Sequence, residues 1–210
     1  MREQKGIFVP DEDTAKFWGK NFEVREYNKI APKGKLTLDI GAHVGIWTSR
    51  LANDFEEVIA FEPLKKHIDC HKKNCEGLEN VTLHEIALSD KKHTAVMTTK
   101  DINSGMSTLS ETKWKSDSYP QMVETRTLDS YKFPKIDFIK IDVEGWEEYV
   151  LEGAMQTILK DRPRMYIEIW KKNFTYITSM LAQKMGYDYH QVSKLNYICE
   201  PMEHRRNQNT

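Results

Sequence analysis

The sequence predicts an α/β fold built on a mostly parallel β-sheet with helices on both faces and an antiparallel hairpin at the C-terminal end. Three observations carry this reading. From Leu36 onward short apolar runs alternate with helix-periodic stretches, the pattern of βαβ units. The first run, Leu36 to Ile40, opens into a turn bearing Gly41 and Gly45, and the second, Val58 to Phe61, ends on the acid Glu62. Such runs suit strands buried on both faces, and a glycine turn lets backbone N–H groups approach a ligand at a helix N-terminus.

Taken in order, residues 1–35 read as an N-terminal covering segment. Asp11 or Asp13 is placed to cap a helix through Asn21, and Phe8, Phe17, Trp18, Phe22 and Tyr27 either pack on the edge of the core or, at Phe17 and Trp18, close over a ligand. The α/β core occupies residues 36–200 of a single domain spanning 1–210. Its strand Leu36 to Ile40 leads to a helix from Ile46 to Asp54, Val58 to Phe61 to a helix from Leu64 to Cys75, and Val81 to Leu88 forms a third strand. Thr94 to Thr99 and Met122 to Leu128 read as β-branched strands flanking a long Ser/Thr-rich loop, Lys100 to Gln121. The βα pattern resumes with Phe138 to Val143, a helix from Trp146 to about Lys160, Met165 to Trp170, and a helix from Phe174 to Met185. Tyr187 to Val192 and Asn196 to Cys199 make the closing hairpin, and residues 201–210 a polar, mobile tail.

At 210 residues and 24.7 kDa the chain can bury one sizeable core. Its 31 Lys and Arg balance 32 Asp and Glu, so no basic field draws it to nucleic acid or an anionic membrane, and the partner expected is a small molecule. The absence of any run long and apolar enough to span a bilayer, an N-terminus without a signal-peptide core, and Cys70, Cys75 and Cys199 without a CxxC pair together predict a cytoplasmic protein. His67, His71 and Cys75 recur every four residues, on one face of a helix. The run is lysine-rich and has no evident fourth ligand, so a solvated helix face is the better reading than a metal stripe. His84, His93 and His190 show no evident partner and read as surface or satisfied core histidines.

What binds at the first turn follows from its spacing. The dinucleotide fingerprint puts its first two glycines two apart, whereas Gly41 and Gly45 are four apart, which disfavours a nicotinamide or flavin dinucleotide. Asp39 precedes the turn, where a carboxylate repels a phosphate but pairs with an ammonium or with water beside it. A phosphate-free cofactor with a cationic amino-acid end fits, namely S-adenosylmethionine. Glu62, twenty-one residues beyond Gly41, stands where an acid accepts ribose hydroxyls, and Asp90 where an adenine amino group could donate.

Asp39-Ile40-Gly41-Ala42-His43-Val44-Gly45, Ala60-Phe61-Glu62-Pro63, Ala87-Leu88-Ser89-Asp90, Thr127-Leu128-Asp129 and Ile139-Lys140-Ile141-Asp142-Val143-Glu144-Gly145 together resemble the FkbM family of methyltransferases, in the family's order over about Leu36 to Trp170. The resemblance implies a class I methyltransferase sheet of about seven strands and methyl transfer to oxygen, most often of a sugar or polyketide hydroxyl. It implies cofactor contacts at Asp39, Gly41, Ala42, His43, Gly45, Glu62, Ala87, Ser89, Asp90 and Asp142. The Gly-Ser-rich stretch from Asp101 to Leu109 resembles a further family segment at the active-site mouth, implying acceptor contacts at Ser104, Gly105, Met106 and Ser107, while Trp114 and Tyr119 could stack on a sugar face. His43 departs from the family, which usually has Asn there.

The chemistry is read from the charged strand Phe138 to Val143. Strand alternation points Lys140, Asp142 and Glu144 to one face, so they must pair, reach water at the strand's carboxyl end, or meet a ligand. Lys140 could simply neutralise Asp142, and Glu168 on the next strand is either Lys140's partner or a substrate contact. Asp142 and Glu144 are expected to act on the acceptor hydroxyl, as general base or as oxygen ligands of a divalent cation. The expected function is therefore S-adenosylmethionine-dependent O-methylation of a saccharide or related small molecule, with Asp142, Glu144, Lys140 and Glu168 as catalytic candidates. The alternatives are a non-catalytic module that binds S-adenosylmethionine or scaffolds glycan assembly, and a nucleotide-dependent oxidoreductase.

Overall fold

The computed structural model describes residues 1–4, 6–10, 22–100, 103–110 and 118–202, and of residues 4, 22–25, 99, 100, 103–110, 118 and 119 the backbone alone. In chain order the strands are β1 (Arg2–Gln4), β2 (Ile7–Val9), β3 (Gly34–Ile40), β4 (Phe55–Phe61), β5 (Val81–His84), β6 (Ala87–Leu88), β7 (His93–Lys100), β8 (Asn103–Ser110), β9 (Ser118–Arg126), β10 (Phe138–Ile141), β11 (Arg164–Glu168), β12 (Tyr187–Gln191) and β13 (Asn196–Pro201). The α-helices are α1 (Phe22–Ile30), α2 (Ile46–Asp54), α3 (Lys65–Asn74), α4 (Glu147–Glu152), α5 (Met155–Asp161) and α6 (Phe174–Ser179). The predicted cap at Asp11 or Asp13 and the aromatics Phe17 and Trp18 lie outside the described residues.

Seven strands form one sheet in the order β12-β13-β11-β10-β3-β4-β5. β11, β10, β3, β4 and β5 run parallel, and β13 and β12 close the sheet antiparallel, as the sequence predicts. The chain steps outward from β3 through β4 to β5, then crosses back to β10 on β3's other side, so β3 and β10 flank the topological switch point. Ligands of open α/β sheets bind beyond the strand ends at that point.

Alternate residues of each strand feed two apolar layers. Leu36, Leu38, Ile40, Ile139, Ile141 and Ile167 pack with Val150 and Leu151 of α4, Ile158 of α5 and Ile177 of α6. Phe138, Tyr166 and Val58 point the other way, onto Tyr27 of α1 and Trp47 and Leu51 of α2. On that second face lie also the buried charges of Asp39 and Lys140.

The structure corrects several element boundaries. The Lys100-to-Gln121 stretch read as a loop contains β8 and the start of β9, and with β7 and β6 these make a second sheet, order β6-β9-β7-β8. The predicted strand Val81 to Leu88 divides between the two sheets as β5 and β6. The single helix expected from Trp146 to Lys160 breaks at Gly153, where a Cβ would lie 2.0 Å from the Ser89 carbonyl oxygen, so that β6 and the end of α4 can touch. The last long helix passes from α6 into a π-helical stretch, Met180–Met185. The covering segment includes the β1-β2 hairpin, which Asn74 ties to the core by exchanging hydrogen bonds with the Phe8 backbone at 2.7 and 2.8 Å.

The face of α3 read as solvated is buried. Leu64, His67, Ile68, His71 and Cys75 follow the three-four spacing of a core-facing stripe and are 1–8% exposed.

Candidate functional site

The turn after β3 is pinned by its neighbours. The Gly41 and Ala42 amides both donate to the Phe61 carbonyl at 3.0 Å, and the Asp142 amide donates to the Ile40 carbonyl at 3.0 Å. Gly41 (φ 78°), His43 (φ 51°) and Gly45 (φ 87°) take left-handed backbone, a conformation open to glycine at little cost. At Gly41 space also decides the residue, because a Cβ there would sit 1.9 Å from the Asp142 carbonyl oxygen. The ends of β3 and β10 are thus in backbone contact, and Asn74 holds the turn from outside by donating to the Val44 carbonyl at 2.7 Å.

Beneath the turn lies a buried polar chain. Lys140 and Asp39 face each other across β10 and β3, Nζ to Oδ1 3.3 Å, at 3% and 0% exposure. The same ammonium donates to the Gly41 carbonyl at 2.8 Å and lies 3.8 Å from Asp142. Thr48 donates to the other Asp39 oxygen at 2.6 Å, and His71 Nε2 meets the Thr48 hydroxyl at 3.0 Å. The ammonium expected beside Asp39 is therefore Lys140's own. Lys140 pairs with Asp39 and lies beside Asp142.

At the end of β4 the Glu62 carboxylate is 4% exposed and held by three elements. Oε2 accepts from the His43 amide at 2.9 Å, and Oε1 from the Leu64 amide at 2.9 Å and meets His67 Nδ1 at 3.2 Å. Burial raises the Glu62 pKa, against which the nearby His43, these amides and Lys140 act. The His43 and His67 rings pack edge-on with centroids 4.0 Å apart. Part of His43 stays accessible at the turn, while burial first and His67 second hold its imidazole well below the usual value.

Ser89 and Asp90 follow β6. Trp146 Nε1 donates to Ser89 Oγ at 3.1 Å, and Ser89 Oγ donates to Asp90 at 2.9 Å, so a buried indole orients the carboxyl expected to meet adenine. Ala87 is buried in the apolar core.

Past β10 the chain gathers acids. The strand ends at Ile141, and Glu144 arrives through left-handed backbone at Glu144 (φ 55°) and Gly145 (φ 95°), not through the continued strand alternation the sequence suggested. Carboxylate oxygens of Asp142, Glu144 and Glu168 all lie within 4.8 Å of one another, the one such cluster of acids, histidines or cysteines among the described residues. Burial first, then Asp142 and Glu168, raise Glu144 to about 9. Burial first, then Asp142, raise Glu168 to about 8, while the Trp170 indole donates to it at 2.9 Å. Carboxyls so placed can share protons near neutral pH and take one from a bound hydroxyl.

Sequence reasoning missed Glu147, His67 and Trp146. Glu147 is fully buried, accepts from the Gly145 amide at 2.9 Å and the Val143 amide at 3.3 Å, and so clamps the Glu144 turn; burial raises it to about 7. His67 was visible in the apolar spacing from Leu64. Ser104, Gly105, Met106 and Ser107 lie on β8, of which the backbone alone is described, and Trp114 lies outside the described residues.

Residues 39–189 match the family model described as Methyltransferase FkbM domain, most of the chain. The chain belongs to the FkbM methyltransferase family. No curated protein matches it. Among solved structures it resembles the FkbM methyltransferase of Methylobacillus flagellatus KT at 17% identity and TM-score 0.55, over 79% of this chain and 43% of that one. The chain thus spans under half the length of that relative. It also resembles an rRNA methylase of Streptococcus thermophilus (12% identity, TM-score 0.51, 86% and 95% covered). A third likeness is a Streptococcus mutans protein solved in complex with SAH (11% identity, TM-score 0.50, 86% and 96% covered). At such identities these likenesses establish the methyltransferase fold alone. No helix among the described residues is long and apolar enough to cross a membrane.

Proposed function

We propose that this FkbM methyltransferase uses S-adenosylmethionine to methylate a hydroxyl of a saccharide or related small molecule. The observation that carries the reading is the backbone contact between Gly41 and Asp142, which seats the glycine turn and the acid cluster side by side at the sheet's switch point. The donor set fits the cofactor's ribose, since a buried carboxylate at the end of β4 suits hydroxyls, whereas Asp39, buried against Lys140, does not reach the amino-acid end.

When bound, S-adenosylmethionine supplies a methyl carbon already activated by its sulfonium. The chain's part is to align the acceptor oxygen and remove its proton. Asp142, Glu144 and Glu168 form the base, with the proton shared among their carboxylates. The Lys140 ammonium lies 3.8 Å from Asp142 beside them. A hard cation at the same oxygens is the weaker reading, because the Lys140 ammonium 3.8 Å from Asp142 repels it. An RNA acceptor, the substrate class named for one structural neighbour, is disfavoured by the acids at the site and the formal net charge of −1.

Labelled S-adenosylmethionine offered with simple saccharides, with RNA and with buffer tests this. Label on a saccharide oxygen, undiminished by EDTA, supports the reading. Label on RNA alone overturns the acceptor class, and loss of transfer in EDTA overturns the base.

A further inference from the structure

Glu62 is the acid expected to meet the cofactor ribose, and its grip is asymmetric. A carboxylate 4% exposed must be hydrogen-bonded to remain stable, and each of its oxygens offers two lone-pair directions. Oε1 is engaged twice, by the Leu64 amide at 2.9 Å and by His67 Nδ1 at 3.2 Å. Oε2 is engaged once, by the His43 amide at 2.9 Å from the glycine turn. The Leu64 bond is local to Glu62's own turn, so on Oε1 the contact that comes from another element is His67's, in the first turn of α3, as the His43 amide is on Oε2. The His67 ring, 2% exposed, is itself wedged edge-on against His43 at 4.0 Å, so it has little room to turn.

We infer that His67 is the positioning residue of the cofactor acid: by occupying Oε1 it turns Oε2 toward the cofactor, to accept from a ribose hydroxyl. This rests on the reading that Glu62 binds the ribose. It also gives His43 a place in the same device, as the ring that backs His67.

The test is calorimetric binding of S-adenosylhomocysteine and of its 2′,3′-dideoxyribose analogue to wild type and to His67→Phe, His67→Asn and His67→Gln. Asn can place a donor where Nδ1 stands, whereas Gln places one where Nε2 stands. Wild type should prefer the hydroxyl-bearing ligand at least about tenfold, the difference one good hydrogen bond to a charged group makes. His67→Phe and His67→Gln should lose that preference, and His67→Asn should keep it. If His67→Phe fails to fold, the Asn and Gln pair decides alone. A preference retained in Phe or Gln, or both ligands weakened by the same factor, overturns the role of His67. Absence of the preference in wild type overturns the ribose role of Glu62 itself, and the inference with it.

Discussion

Lys140 and Asp39 stand opposite each other on adjacent parallel strands with their charges 3.3 Å apart and almost no exposed surface. The pair neutralises the sheet interior at the point where the two halves of the site meet. Removing one partner leaves the other charge buried, which costs about 3–5 kcal/mol. Lys140→Met and Asp39→Asn should each destabilise by that order in denaturant unfolding, and the double variant by clearly less than their sum. Additive losses would show that the two residues do not act as a pair.

Gly41→Ala adds a Cβ 1.9 Å from the Asp142 carbonyl oxygen at a backbone φ of 78°. Strain and clash together predict a loss of about 2–4 kcal/mol in stability and of most cofactor affinity. Gly77→Ala has the same sign of φ and nothing within 4 Å, so it should cost only the backbone strain, about 1–2 kcal/mol, and leave affinity unchanged. Thermal melts and S-adenosylhomocysteine titrations of the two variants check the contrast.

That contrast also shows what could be read in advance. The turn, the five parallel strands and the closing hairpin follow from local apolar runs and glycines, and those were found. Asp39 and Lys140 pair through strand register between residues a hundred apart, which no local pattern encodes. β7 is legible as the strand Thr94 to Thr99, whereas β8 lacks an apolar alternation because Ser, Thr and Asn fill it, so it reads as a loop. The helix break at Gly153 had a visible signal, a glycine inside a helical pattern, whose cause is the Ser89 backbone packed against it.

The acid cluster predicts a pH profile. Glu168 is raised to about 8 and Glu144 to about 9, and a base must be ionised to act, so kcat should rise about tenfold per unit below pH 8 and level off near 9. A rate already flat from pH 6 would remove these carboxyls as the base. Steady-state rates at saturating cofactor and acceptor give the profile.

The same groups set a stability trend. A carboxyl whose folded pKa is raised holds its proton in the folded state while the unfolded chain has released it. The folded protein then binds more protons, and stability falls as pH rises from the model carboxyl value of 4.5 through about 9. Glu144→Gln should raise Tm by roughly 2–4 °C at pH 9, the effect of about 1 kcal/mol in a chain of this size, and leave it unchanged at pH 4. Melting curves at the two pH values measure this.

The central claim, that the turn from Gly41 to Gly45 and the acid Glu62 hold a phosphate-free adenosyl cofactor, is tested most directly by calorimetric titration with S-adenosylhomocysteine and, separately, with NADH. Saturable binding of S-adenosylhomocysteine, at least about tenfold weaker in Glu62→Ala, with no heat from NADH, is the predicted result. Binding of NADH without S-adenosylhomocysteine, or equal affinity in Glu62→Ala, would contradict it.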